Sequence, residues 1–193
     1  MEHGNQNTIR SFIAIEMSDE ARREFSKVIS KLKDSGADVK WIDPDSLHLT
    51  LKFLGNIEET RVPDISKSIL QITSNLDPFE MRLDGLGAFP NWTRPRVVWL
   101  GISEGGSLAK NIAEQIERTM ESYGFEREKR SFSPHITLGR VRSGKNVDKL
   151  KKIADSIKVD PCLIEVKEII LFRSQLTPHG AIYSPLSVSK FKV

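Results

Sequence analysis

The sequence predicts an α+β protein built from two related halves. Three observations lead there. Strand-like and helix-like segments alternate twice along the 193 residues, with the helices placed to flank one side of mainly antiparallel sheets. No Gly-rich phosphate loop follows any strand, which makes a doubly wound parallel sheet a poor reading. The nearest candidate, Glu104-Gly105-Gly106-Ser107, lacks the dinucleotide spacing and reads as a turn and helix cap. A short pattern, His-x-Thr, occurs once in each half, at His48 and again at His135.

The elements follow in order. Residues 1–8 are polar and are expected to fray; residues 8–15 form a strand through the run Phe12-Ile13-Ala14-Ile15. Ser18, with Asp19 and Glu20 behind it, opens a helix because a side-chain oxygen caps free N–H groups. Phe25, Val28, Ile29 and Leu32 give that helix its apolar face, and Gly36 ends it. Residues 39–42 make a short strand before the Asp43-Pro44-Asp45 turn, and residues 47–54 a strong strand closed by Gly55-Asn56. A helix over 58–74 carries Val62, Ile65, Ile69 and Ile72 at helical spacing, with Pro63 in its first turn. Residues 79–86 and 96–102 are strands around a proline-bounded loop at 90–95. Leu108, Ile112, Ile116 and Met120 recur every four residues and mark a helix over 106–123. A strand at 135–141, a helix at 147–157 and a closing pair of strands at 162–172 and 181–188 complete the chain.

Composition narrows the function classes. Apolar residues make up 38% and charged residues 28%, enough apolar material for a packed core. A single cysteine, Cys162, excludes a disulfide-stapled scaffold. No apolar run approaches a bilayer span, and the first residues lack the apolar stretch of a signal peptide, so a cytoplasmic protein is expected. A net charge of +3 is compatible with a polyanionic partner and does not by itself specify one.

The chemistry lies in the repeat. On a strand, residues two apart project together, so His48 and Thr50 share one face, as do His135 and Thr137. Leu49, Leu51 and Phe53 would then anchor the first motif in the core, and Ile136 and Leu138 the second. Two imidazoles on opposite sides of a phosphorus atom suit in-line displacement at a phosphodiester, one taking a proton from water and the other giving one to the departing oxygen. Threonine hydroxyls can hydrogen-bond the non-bridging oxygens where charge builds. This scheme requires neither a metal nor another cofactor. A lone His-x-Thr usually marks a half-buried structural histidine; its duplication on two apolar strands strengthens the catalytic reading without displacing the structural one. A shared metal site is less attractive, since no His-x-His or cysteine cluster supplies further ligands. His3, in the polar tail, and His179, in a Pro178-His179-Gly180 turn, read as solvated loop residues.

With those residues placed, the chain resembles the bacterial and archaeal RNA 2′,3′-cyclic phosphodiesterases, also called 2′-5′ RNA ligases, of the two-histidine (2H) phosphoesterase superfamily. The resemblance runs nearly end to end: IRSFIAIEM, VKWIDPDSLHLTLKFLG, FPNWTRPRVVWLG, FSPHITLGRV and LFRSQLTPHGAIYSPL stand in the family's order. It implies a two-lobed, pseudo-symmetric α+β fold with antiparallel sheets facing a central cleft, helices outside and terminal strands crossing between lobes, hence one domain. It also implies hydrolysis of an RNA 2′,3′-cyclic phosphate to a 2′-phosphomonoester, and reversible 2′-5′ RNA ligation as a second reaction of the same site. His48 is then the proton donor and His135 the proton acceptor, while Thr50 and Thr137 orient the phosphate. The expected partner is RNA with cyclic-phosphate or 2′-phosphate ends, tRNA fragments among the candidates, and the expected state is a monomer.

Residues that hold the RNA are harder to select. Lys52, in phase with His48 and Thr50, is expected in the same cleft. Arg94, Arg96, Arg140 and Arg142 are candidate phosphate contacts, against the alternative of solvated cations. Phe12, Phe132 and Tyr183 are candidates for base stacking, against the alternative of core packing. Two other functions stay open: a non-catalytic module that binds RNA ends, and a phosphodiesterase for small cyclic nucleotides.

Overall fold

A computed structural model describes residues 7–159, 162–178 and 180–192. Most of the expected frayed tail, including His3, and the histidine of the 178–180 turn, His179, lie outside the described residues. The chain runs β1 (Thr8–Glu16), α1 (Asp19–Lys33), β2 (Val39–Trp41), β3 (His48–Glu58), α2 (Val62–Thr73), β4 (Phe79–Phe89) and β5 (Val97–Glu104). It continues through α3 (Gly106–Ser122), β6 (His135–Val141), α4 (Val147–Ser156), β7 (Cys162–Val166), β8 (Glu168–Thr177) and β9 (Gly180–Lys190).

The strands form two sheets in the orders β3-β1-β8-β9 and β2-β6-β5-β4-β7, and every pairing in them is antiparallel. Each sheet draws strands from both ends of the chain. One core cluster joins the inner faces: Ile13, Leu49 and Leu171 from the first sheet meet Leu83, Leu100 and Ile136 from the second, with Phe25, Ile65 and Ile116 from the helices. Helix α2 packs on β8 and β9, α3 touches both β3 and β5, and α1 lies against β7 and α4. Among the described residues, no helix is long and apolar enough to cross a membrane.

Local chemistry explains the boundaries. The Ser18 side chain accepts from the Ala21 N–H at 3.3 Å, and Asp19 and Glu20 at the start of α1 oppose Lys31 and Lys33 at its end, matching the helix dipole. Helix α2 starts at Val62 rather than 58, because a 3-10 turn over Glu59–Arg61 precedes it. Strand β3 does not stop at Leu54. Gly55 adopts φ 72° beside a bulge at Leu54, and pairing with β1 then resumes as far as Glu58.

The expected single strand at 162–172 is two strands in different sheets. Burial alternates along Cys162–Val166, at the edge of the second sheet, and becomes continuous over Ile169–Phe172, in the middle of the first. The chain changes sheets at Lys167, and an apolar run does not record that change because both segments are apolar.

Candidate active site

The two motif strands begin at their histidines, His48 opposite Glu16 on β1 and His135 opposite Gly101 on β5. Leu49, Leu51, Ile136 and Leu138 are buried beneath them, while both histidines and both threonines remain half-buried on the other face. That alternation is what the motif needs: apolar anchors fix the strand and leave the polar pair accessible. Strands β3 and β6 also touch each other.

The two imidazoles are held by the same device. His48 Nδ1 donates to the Ser46 carbonyl at 2.8 Å, and His135 Nδ1 donates to the Ser133 carbonyl at 2.7 Å. A carbonyl only accepts, so each Nδ1 carries a hydrogen and each Nε2 is left to exchange a proton. Burial pushes the His48 pKa below its ordinary 6.5, with the Ser46 carbonyl and the Glu16 carboxylate pulling back. Burial also lowers that of His135, the Ser133 carbonyl opposes, and the Arg140 guanidinium lowers it further.

Aromatic rings surround both groups. His48 lies 4.7 Å from Phe12 and 5.2 Å from Tyr183, centroid to centroid, with Phe172 behind. His135 meets the edge of Phe89 at 4.8 Å and has Trp99 at 6.4 Å. Arg140 joins the halves, since its charge acts on His135 and also on Tyr183, whose ring touches His48. Burial raises the Tyr183 pKa, keeping the phenol protonated as a donor, and Arg140 and Arg10 oppose that rise. Two matched imidazoles, two hydroxyls and a guanidinium on one surface can move protons at both ends of a phosphorus–oxygen displacement while neutralising the anion between them.

A family model, LigT like Phosphoesterase, matches this chain twice, over residues 15–99 and 100–183, and each match contains one His-x-Thr. The chain belongs to the LigT-like phosphoesterase family. Relatives in it include the RNA 2′,3′-cyclic phosphodiesterase of Methanothermobacter thermautotrophicus, 34% identical over 181 residues that cover 93% of this chain and 97% of the relative. That of Thermotoga maritima is 33% identical over 184 residues, covering 95% and 96%. Among solved structures, E. coli LigT complexed with 3′-AMP superposes with a TM-score of 0.78 at 26% identity, covering 97% of this chain and all of that one. A Thermus thermophilus protein gives 0.75 at 28% identity, covering 95% and 98%.

Within this LigT-like site the structure brings together His48, Thr50, His135, Thr137, Arg140, Phe12 and Tyr183. Phe12 is both buried and at the site: it belongs to a small cluster with Ala14, Ile170 and Phe172 on the face opposite the main core. Lys52 is a correction. A bulge at Leu51 shifts the register between Thr50 and Lys52, so both Leu51 and Lys52 turn inward and Lys52 bonds Glu117 beneath the sheet. The same bulge sends Phe53 outward, 62% exposed, instead of into the core.

Arg96 stands just before β5 with its side chain exposed, and its backbone bonds Phe89 and Val141. Arg94 is exposed in the loop before β5, where its N–H bonds the Asn91 side chain. Arg142 lies just past β6 and bonds Asp38 through its backbone, and Phe132 packs on the main core. Sequence reasoning missed Glu16, Phe89 and Trp99, which distant strands supply. It also missed the two serine carbonyls, although the repeat extends to Ser-x-His-x-Thr in both halves.

Proposed function

We propose that this protein hydrolyses RNA 2′,3′-cyclic phosphate ends to 2′-phosphomonoesters, using its own side chains and no metal. The single observation that carries the reading is the duplicated imidazole, fixed in the same tautomer by a serine carbonyl in each half. The names of its LigT-like relatives support the substrate class, and the 3′-AMP and phosphate complexes of E. coli LigT support a phosphate-binding cleft.

In this mechanism His135 Nε2 takes a proton from water as the water oxygen bonds phosphorus. The bond from phosphorus to the 3′ oxygen breaks, and His48 Nε2–H protonates that leaving oxygen, so the 2′-phosphate remains. Thr50, Thr137 and Arg140 bind the non-bridging oxygens, which gain charge in the transition state. Phe12 and Tyr183 line the nucleoside side, and Arg94 serves a longer RNA from its loop. With a 5′-hydroxyl in place of water, the same steps break the bond from phosphorus to the 3′ oxygen and leave a 2′-5′ link between two RNA ends. The reading places a monomer in the cytoplasm acting on cleaved RNAs such as tRNA fragments.

The test is a short RNA ending in a 2′,3′-cyclic phosphate, incubated with excess EDTA beside the His135→Ala protein. A product resistant to a 3′-specific phosphatase from wild type, and none from the folded variant, is the expected result. Tight binding without hydrolysis by wild type would replace the enzyme with a binding module. A 3′-phosphate product would exchange the roles of the two histidines.

A further inference from the structure

Just beyond Thr50, the first motif strand turns a lysine into the protein. Lys52 Nζ donates to Glu117 Oε1 at 2.7 Å and to the Glu126 carbonyl at 3.1 Å. The lysine side chain is 4% exposed and that of Glu117 13%. The same carboxylate oxygen accepts the Glu128 N–H at 2.6 Å. One sequestered ion pair therefore ties together β3, which begins at His48, helix α3, and the segment that leads through Ser133 to His135.

Stability alone is a poor reason for such a pair. Removing both charges from water costs about as much as their attraction returns, and apolar side chains of similar volume often serve as well or better. What the pair supplies is direction: an ammonium with three donors and a carboxylate with fixed acceptors specify which backbone atoms meet. The segment needs that. Phe125 and Phe132 anchor the two ends on the core, but residues 126–131 between them are exposed and outside regular secondary structure, so the ion pair is what fixes the backbone of Glu126 and Glu128.

We propose that Lys52 and Glu117 are a positioning pair that couples the two half-sites. They hold the segment entering the second motif against the strand of the first, so the placement of His135 relative to His48 depends on them. This rests on reading the two histidines as an acid–base pair across one phosphate. The pair touches no substrate and acts through the segment it anchors.

The experiment compares wild type with Lys52→Met, Glu117→Gln and the double variant Lys52→Met/Glu117→Leu. It measures thermal unfolding, kcat and KM on the cyclic-phosphate RNA, and backbone amide exchange. Lys52→Met is expected to lower kcat about 10–100-fold with KM nearly constant, the size of effect a displaced catalytic group gives. Exchange over residues 126–134 should quicken while that of β1 holds. Glu117→Gln keeps the acceptor oxygen and loses the charge, and its kcat should fall between wild type and Lys52→Met. The double variant removes both charges, so it should recover thermal stability without recovering kcat.

A double variant that regains wild-type kcat together with its stability would overturn the proposal, leaving a purely structural ion pair. Unchanged exchange over 126–134 in a folded variant would also overturn it. If Lys52→Met alone does not fold, the other two proteins carry the same comparison. Wild type without turnover would defeat the proposed function instead, and the exchange measurement would still decide the coupling.

Discussion

Phe53 and Arg140 hold corresponding positions in the two motif strands. Each stands three residues past its motif threonine and two past a bulge, at Leu51 in β3 and at Leu138 in β6. The bulge returns both side chains to the face of the histidines. One half thereby presents a phenyl ring 6.0 Å from Phe12, and the other a guanidinium whose charge acts on His135 and Tyr183. Beneath the sheet the halves differ too: where β3 has Lys52, β6 has Gly139, and a Cβ there would lie 2.6 Å from Val39 and 2.8 Å from Trp41. The site is pseudo-symmetric in its proton carriers and asymmetric in charge.

On the proposed mechanism, that asymmetry gives Arg140 the main share of anion stabilisation. Arg140→Ala should lower kcat about 10²–10³-fold, as loss of one transition-state donor does elsewhere. Arg140→Lys should retain only part of the rate, because an ammonium does not reproduce the guanidinium fork. The cation also depresses the His135 pKa, so its removal should raise that pKa and move the acid limb of kcat/KM to higher pH. Steady-state kinetics across pH check both effects; an unmoved limb would separate Arg140 from His135.

Both histidines titrate below their ordinary 6.5 in the folded protein. With His48 required protonated and His135 neutral, kcat/KM should follow a bell centred below 6.5. Bound phosphate favours both imidazolium forms, so the kcat profile should sit at higher pH. The linkage to stability has a definite sign. Below 6.5 the unfolded chain binds more protons at these two sites than the folded one, so their stabilising contribution is complete above that pH and is lost as pH falls through the depressed values. Chemical denaturation at stepped pH, on wild type and on a His48→Ala/His135→Ala protein, isolates their share.

The serine carbonyls dictate a tautomer. Nitrogen-15 spectra of the neutral imidazoles should show hydrogen on Nδ1 for His48 and His135. A dominant Nε2–H form at either ring would contradict the bond to Ser46 or Ser133.

Gly87 underlies the Trp99 indole so closely that an added Cβ would fall 2.2 Å from the ring. Gly87→Ala should therefore destabilise the fold by about 1–3 kcal/mol, the usual range for overpacking. It should also slow turnover, because Trp99 stands beside His135 and pairs with Thr137 across the sheet. Thermal unfolding and kcat together test this, and an alanine tolerated without change in either would show that the ring has room to move.

Much of this protein was readable from its residues. The order of strands and helices, the antiparallel α+β class, the two His-x-Thr strands and their apolar undersides all rest on period-two and period-four patterns, which are local properties of the chain. The brace on each histidine is equally local, two residues back at Ser46 and Ser133, but its acceptor is a backbone carbonyl that every residue carries, so the letters did not mark it.

Two misread residues, Lys52 and Phe53, share one physical cause. Alternation assigns Lys52 to the cleft and Phe53 to the core, and a single extra residue, Leu51, reverses both. A bulge is set by how a strand pairs with its neighbour, so it leaves no mark in the strand's own pattern. The sheet change at Lys167 is hidden in the same way. Sequence alone singled out the histidines and threonines proposed to carry the chemistry; tertiary pairing decided which face each residue meets, and only packing between distant strands brought Tyr183, Arg140, Phe89 and Trp99 around the two histidines.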